Sequence, residues 1–431
     1  MLRVARRTSS GGAGPPASPA ASSSSSSSAA SAGSRSSIEL IRSDGFTCTR
    51  ERVVNGELKM LHPATEQHVL VWSERPKRVL ILKKLGKALL PYLVEVAQLL
   101  RAQGCSVLVE ERVLHEIEEE GGEQSFGLAG ALQALPTERR HAALVVPDGT
   151  GIDCVVALGG DGVILHASSL FQGRSCPVTM GVHLGSLGFL CNFAARDIGR
   201  GLPLLLGLGG GGNAPPAPVP ITLRMRLHCQ VYRRGSDTVE QTFEVLNEVL
   251  LDRGTNAFLS QIECFNRGQL LTTVQADGVM LATPTGSTAY SVSAGGSLVH
   301  PGVPAILFTP VCPHALSFRP ILLPDYSEIE LRVPLDARSA CSVSFDGKHG
   351  MELERGDRLC VKMSENPVPT VNKEDGSLDF VYSLRRCLNW NDRDLQAPLE
   401  ADAEALLREL KRLAVDEGAP AAAADGVGAS P

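Results

Sequence analysis

The sequence predicts two domains in succession: an α/β domain with a Rossmann-like parallel sheet, then a β-rich, sandwich-like domain. Three observations carry that prediction. Strand and helix patterns alternate from Val79 onward, as a βαβ unit requires. Beyond Pro220 strand follows strand, with turn residues between them. Between these regions, Gly207 to Pro220 reads Gly-Leu-Gly-Gly-Gly-Gly-Asn-Ala-Pro-Pro-Ala-Pro-Val-Pro, which supports neither helix nor strand and marks a linker. A chain of 431 residues exceeds one ordinary domain and suits two.

Taken in order, residues 1–74 are expected to be disordered. Residues 1–37 contain no acid, four arginines (Arg3, Arg6, Arg7, Arg35) and an unbroken serine run from Ser22 to Ser28, so they have little apolar surface to bury. The same composition describes an organelle transit peptide, which sets a plastid or mitochondrial location beside a cytoplasmic one. Order is expected from about Pro76, in an α/β domain over residues 75–206. Val79 to Leu82 reads as a strand. Leu89 to Ala102 reads as a helix, with Pro91 in its first turn and Leu93, Val96, Ala97 and Leu100 on one face. Gly104 stops it, and Ser106 to Val109 gives the next strand. Glu116 to Arg140 reads as helix and surface loop.

The stretch that organises the domain is Ile152 to Gly162. Ile152 to Leu158 is apolar and rich in β-branched residues, which fits a strand buried on both faces. Gly159 and Gly160 then allow positive φ and close approach by another molecule. Asp161, followed by Gly162, stands at the carboxyl end of that strand, where open α/β sheets place ligands. Asp161 could act only as the N-cap of the helix Val163 to Leu170. A cap needs no flanking glycines, so the loop is read as a phosphate site holding a carboxylate. Pro177 to His183 gives another buried strand ending in Gly185-Ser186-Leu187-Gly188, and the two glycine turns could flank one cleft.

The second domain is expected over residues 221–380, with strands at Ile221–Leu227, Phe243–Leu251, Gln261–Phe265, Gln269–Val274, Val279–Thr283, Ile329–Val333, Ser342–Phe345 and Leu359–Met363. Asn247 and Glu248 interrupt an apolar strand, where burial is costly unless each is hydrogen-bonded, by neighbouring loops or by a ligand. Thr283-Pro-Thr-Gly-Ser-Thr-Ala-Tyr290 crowds hydroxyls and N–H groups at the start of a small-residue helix, either as a turn and cap or as an anion site. Residues 381–417 are expected to form a C-terminal segment that carries an amphipathic helix, Leu399 to Ala414, and could return to the first domain, and 418–431 to be a disordered tail.

Composition excludes several classes. A net charge of -6 without a basic run, and only 4% aromatics, give no nucleic-acid surface. Eleven cysteines contain no Cys-x-x-Cys pair, and ten histidines show no zinc spacing, so no protein-bound metal site is predicted and the thiols read as reduced. No apolar run approaches the ~18 residues of a membrane span, which predicts a soluble protein.

Together, Gly159-Gly-Asp-Gly162, Asn247-Glu248 and the octet Thr283 to Tyr290 resemble, in order and separation, the three signatures of NAD kinases. The resemblance runs from about Arg78 to Trp390, and includes the Gly185 turn, Cys312-Pro-His-Ala-Leu-Ser-Phe-Arg-Pro and Phe345-Asp-Gly. It implies transfer of the γ-phosphoryl of ATP, with Mg²⁺ or another divalent cation, to the 2′-hydroxyl of the adenosine ribose of NAD. It further implies that Asp161 is the general base beside Gly159, Gly160 and Gly162, that Asn247 reads adenine and that Glu248 binds the neighbouring ribose hydroxyl. Asp277, Thr288, Ala289, Tyr290 and Ser293 would hold the nicotinamide half and the pocket wall, with Asp346 a further pocket residue. The resemblance implies a homodimer or homotetramer. No Gly-x-x-x-x-Gly-Lys-Ser/Thr occurs, so glycine N–H groups and the metal must carry the charge that a P-loop lysine carries elsewhere.

Two positions depart from the resembled pattern: Val163 stands where a threonine is usual, and Ala276 where a glycine is. A polyglycine and proline insertion also lengthens the crossing between domains. The competing readings are a lipid kinase sharing only Gly-Gly-Asp-Gly, which leaves the octet unexplained, and a dinucleotide-binding regulatory protein, which has little use for Asp161.

Overall fold

The computed structural model describes residues 36–43, 48–54, 57–58, 67–120, 130–140, 143–185, 188–208, 215–392 and 399–416. The serine run, the middle of the glycine-rich linker, Ser186 with Leu187, and the tail beyond Gly418 lie outside them.

The first domain is built on a mixed sheet. Its parallel part runs Val178–His183, Cys154–Gly159, Arg78–Lys83, Ser106–Val109. Period-two alternation sends successive side chains to opposite faces. Val79, Ile81, Cys154 and Val156 therefore join Leu93, Val96, Ala97 and Leu100 of the helix Leu90–Ala102 in one core. Leu80, Leu82, Val155 and Ala157 meet Ile164, Ala167 and Leu170 of the helix Asp161–Leu170 on the other face. Burial on both faces is why these strands read as unbroken apolar runs.

Order begins earlier than Pro76. Cys48–Val53, Ile38–Ser43 and Gln67–Trp72 extend the same sheet on its antiparallel side, with Ile38, Leu40 and Leu70 buried. Trp72 also donates its indole N–H to Leu205 O at 2.8 Å. The polar composition of residues 1–37 masked this, because the alternation at Ile38-Glu-Leu-Ile begins only where that segment ends.

The second domain is an antiparallel β-sandwich of two six-stranded sheets among the described residues. Phe243 of one sheet stacks on Phe345 of the other at 4.0 Å. Its boundaries differ from those expected. Val219–Arg224 and Val368–Val371 pair with each other inside the first sheet, so the sandwich occupies the chain between them. The expected strand Ile221–Leu227 is thus two strands in different sheets, broken at Met225 and Arg226. The expected strand Phe243–Leu251 is likewise two, Val239–Val245 and Glu248–Asp252, and the chain changes sheet at Leu246 and Asn247. After Val371 the helix Gly376–Leu388 packs onto the first domain, so the return precedes the amphipathic helix Leu399–Asp416.

Candidate active site

Asp161 opens its helix directly after Gly159 and Gly160, whose φ values of 146° and 147° no L-residue adopts easily. A Cβ on Gly159 would lie 2.8 Å from Lys84 Cβ. The carboxylate turns toward the second glycine turn, accepting the N–H of Phe189 at 2.8 Å and of Leu190 at 3.0 Å. A Cβ on Gly188 would fall 2.0 Å from Asp161 Oδ1, so only glycine lets the two turns meet. Burial, and then the negative charge of Asp161, push the Cys191 thiol well up. The two turns thus border one site, as their sequence positions suggested. A Cβ on Gly162 would meet nothing within 4 Å, so that glycine leaves open room at the first turn of the helix.

The helix Gly376–Leu388 closes this side. Its Ser383 donates to Gly188 O at 3.2 Å, and its Phe380 ring lies 6.2 Å from Phe189 and edge-on to His300 at 5.0 Å.

In the second domain the chain changes sheet at Asn247, and Glu248 is buried. Asp346, in a tight turn with φ 49°, accepts the N–H groups of Leu246, Asn247 and Glu248. It braces the backbone of the Asn-Glu pair. Burial raises its pKa to about 6 even against those three donors. Glu248 is pushed to about 7, by burial first and by Asp346 second, against a backbone hydrogen bond from Tyr290. Its Oε2 is buried and has no hydrogen-bond partner. An orphaned buried carboxylate oxygen is costly, and a ligand hydroxyl would satisfy it.

The octet's hydroxyls do not form the anion site that their density suggested. Thr283 Oγ1 donates to Leu246 O and accepts from Gly286 N, Ser287 Oγ bridges the carbonyl and N–H of Val299, and Thr288 Oγ1 donates to Thr285 O. They fold the loop. Thr285–Thr288 is a 3₁₀ turn and Tyr290–Ser293 a single helical turn, where a longer helix was expected. Gly286 is required because a Cβ would lie 2.1 Å from Asn247 O. The loop and the Asn-Glu pair are therefore one unit, which leaves Thr288 and Ala289 half-buried and Tyr290 and Ser293 exposed.

Asp277 is not brought to this unit within the chain. It precedes Gly278, whose strand pairs Asp252 with Gly278 and Glu248 with Ala282, so Asp277 sits five residues along the strand, ~17 Å, from the Glu248 end. Its carboxylate pairs with Arg253 at 2.9 Å. The two departures are accommodated in cores: Val163 packs among Ile164, Leu190 and Leu246, and Ala276 is fully buried.

Sequence reasoning missed two buried arginines in the crossing strand. Arg226, 0% exposed, donates to Ser168 O and Phe171 O at the carboxyl end of the Asp161 helix, and to Arg174 O and Asn366 O. Arg224, 5% exposed, donates to Phe189 O, Thr285 Oγ1 and Thr370 Oγ1. The available signal was two arginines within Leu223-Arg-Met-Arg-Leu227, a run otherwise apolar.

Comparisons with known proteins bear on the family and the fold. The family model described as ATP-NAD kinase N-terminal domain matches residues 79–209, and the ATP-NAD kinase C-terminal domain matches residues 246–373. NAD kinase 2, chloroplastic, of Arabidopsis thaliana is 46% identical over 360 residues, which cover 83% of this chain and 35% of that protein. NAD(+) kinase of Saccharomyces cerevisiae is 44% identical over 257 residues, 57% of this chain and 46% of that protein. This chain therefore spans less than half the length of either relative. The crystal structure of yeast NADH kinase complexed with NADH superposes with a TM-score of 0.66 at 30% identity, over 77% of this chain and 93% of that one. An NAD kinase from Archaeoglobus fulgidus in complex with ATP, 19% identical, shares the fold at a TM-score of 0.51 over 72% of this chain and 99% of that one. With both domains matched in order, the chain belongs to the NAD kinase family.

Proposed function

We propose that this chain transfers the γ-phosphoryl of ATP to the 2′-hydroxyl of the adenosine ribose of NAD, making NADP and ADP. The observation that carries the reading is Asp161, fixed by two backbone N–H groups where two glycine turns meet. Each of its oxygens keeps a lone pair beyond the one so used. As the 2′-oxygen attacks the γ-phosphorus, its proton passes to Asp161 and the bond to the β,γ-bridging oxygen breaks. Phosphoryl transfer asks for little more than in-line positioning and neutralised oxygens. The amino end of the Asp161 helix and the bare glycine backbone supply N–H groups for phosphate. Glu248 Oε2 binds the 3′-hydroxyl beside the reacting one, Asn247 reads the adenine, and Thr288, Ala289 and Tyr290 form the wall.

Among the described residues, no group of three or more His, Cys, Asp or Glu is placed to hold an ion. Mg²⁺ carried on ATP would take most of its ligands from phosphates and water, with one or two from protein carboxylates. Asp161 would be the carboxylate to reach it, and the ion would supply neutralising charge to the transferring phosphoryl group.

Purified protein incubated with ATP, Mg²⁺ and NAD, read by a dehydrogenase that accepts only NADP, tests the reading. Signal supports it, and NAD binding without signal refutes it. A dimer or tetramer is part of the same reading, checked by sedimentation. We also assign a plastid location to the arginine- and serine-rich start, supported by a relative named as chloroplastic. Fusing the first 50 residues to a fluorescent reporter tests this, and fluorescence throughout the cytoplasm would refute it.

A further inference from the structure

We propose that Arg224 is a positioning residue for the transfer, tying the turn that holds Asp161 to the hydroxyl loop of the second domain. Its guanidinium reaches three places at once. Nη2 donates to Phe189 O at 3.3 Å, in the turn whose Phe189 and Leu190 N–H groups hold Asp161. Nη1 donates to Thr285 Oγ1 at 3.4 Å, inside the octet, and Nε donates to Thr370 Oγ1 at 2.9 Å, on the strand that returns to the first domain.

All three acceptors are neutral, and none of the ion pairs among the described residues involves the Arg224 side chain. A buried guanidinium held by neutral acceptors alone is expensive. Its compensation lies in nearby negative charge. Burial depresses its pKa to about 10, while the carboxylate of Asp161 is the largest influence pulling it back up. Arg226, two residues on, anchors the other end of the Asp161 helix, so the two arginines hold different parts of the site. Arg224 stands where both domains and the reacting carboxylate converge. A fixed cation there holds the Phe189–Leu190 peptide so that its carbonyl, of Phe189, faces the guanidinium and its N–H, of Leu190, faces Asp161. It also places positive charge beneath the site in a chain without a P-loop lysine.

The inference rests on the kinase reading, so its test has one arm that needs no turnover. In Arg224→Met, the backbone amides of Phe189 and Leu190 should exchange hydrogen at least about tenfold faster, while the rest of the Cys154–Leu170 region keeps its protection. In the second arm kcat should fall about 10- to 100-fold with KM for NAD within about threefold, and Arg224→Lys should recover part of kcat. In an Asp161→Asn background the same substitution should cost kcat almost nothing, since what it positions is gone. Unchanged exchange at Phe189 and Leu190 overturns the proposal, as does an equal loss of kcat in both backgrounds. Wild-type protein without turnover sinks the kinase reading alone, and the exchange arm still decides whether Arg224 holds the turn. If Arg224→Met does not fold, Thr285→Val removes one acceptor. It should lower kcat about 3- to 10-fold at unchanged melting temperature, and an unchanged kcat overturns the proposal.

Discussion

Two carboxylates of the proposed site, one in each domain, stand in opposite conditions. Asp161 has both oxygens on backbone N–H groups, held by turns in which a single added Cβ would collide with it. Glu248 keeps Oε2 buried without a partner, and its pKa is pushed to about 7. The first group is complete before any substrate arrives. The second is strained until a ligand relieves it. Pre-organisation at the reacting centre, with strain confined to the binding wall, is the arrangement that turns binding energy into orientation.

Breaking the Asp161 side should have the larger effect. Asp161→Asn should fold, bind NAD within a few-fold and lose about 10²–10⁴-fold in kcat, measured by NADP formation. Gly188→Ala comes next. Its methyl would fall 2.0 Å from Asp161 Oδ1 and must swing the carboxylate off its two amides, so kcat should drop by about 10²-fold with the fold intact by circular dichroism.

Glu248→Gln sharpens the contrast, because it should separate binding from stability. NAD affinity should weaken about tenfold, the worth of one hydrogen bond to a charged group. A carboxyl whose pKa is raised on folding contributes stability below its unfolded value near 4.5, and loses it as pH rises through about 7. The ligand-free variant should therefore melt higher than wild type at pH 8, by about 3 °C, and about equally at pH 5. A variant that melts lower at pH 8 would show that Oε2 has a partner after all. The smallest effect is expected of Val163→Thr. Its hydroxyl would enter the apolar cluster around Ile164, so kcat should change less than about threefold while the melting temperature falls slightly.

The sequence made the Asp161 side legible and the other side only in part. A buried parallel strand followed by glycines has one local reading, and the strand, the turn and the helix appear where the pattern put them. Asn247 was harder. Its neighbours are apolar on both sides, and a change of sheet leaves no mark in residue period when both sheets bury the same face. The hydroxyl loop misled for a related reason: which acceptor a threonine finds, Leu246 O or a phosphate, depends on contacts far away in the chain. Arg224 and Arg226 carried a signal, arginine inside an apolar run, but their acceptors lie 35 or more residues away. The early strands were hidden because Ile38-Glu-Leu-Ile follows directly on a serine- and arginine-rich segment.

The most direct measurement is a crystal structure with NAD and a non-hydrolysable ATP analogue bound. The account predicts the adenosine 2′-oxygen at about 3 Å from an Asp161 carboxylate oxygen, with the 3′-hydroxyl on Glu248 Oε2. A 2′-oxygen turned away from Asp161, with neither water nor metal between them, would contradict it.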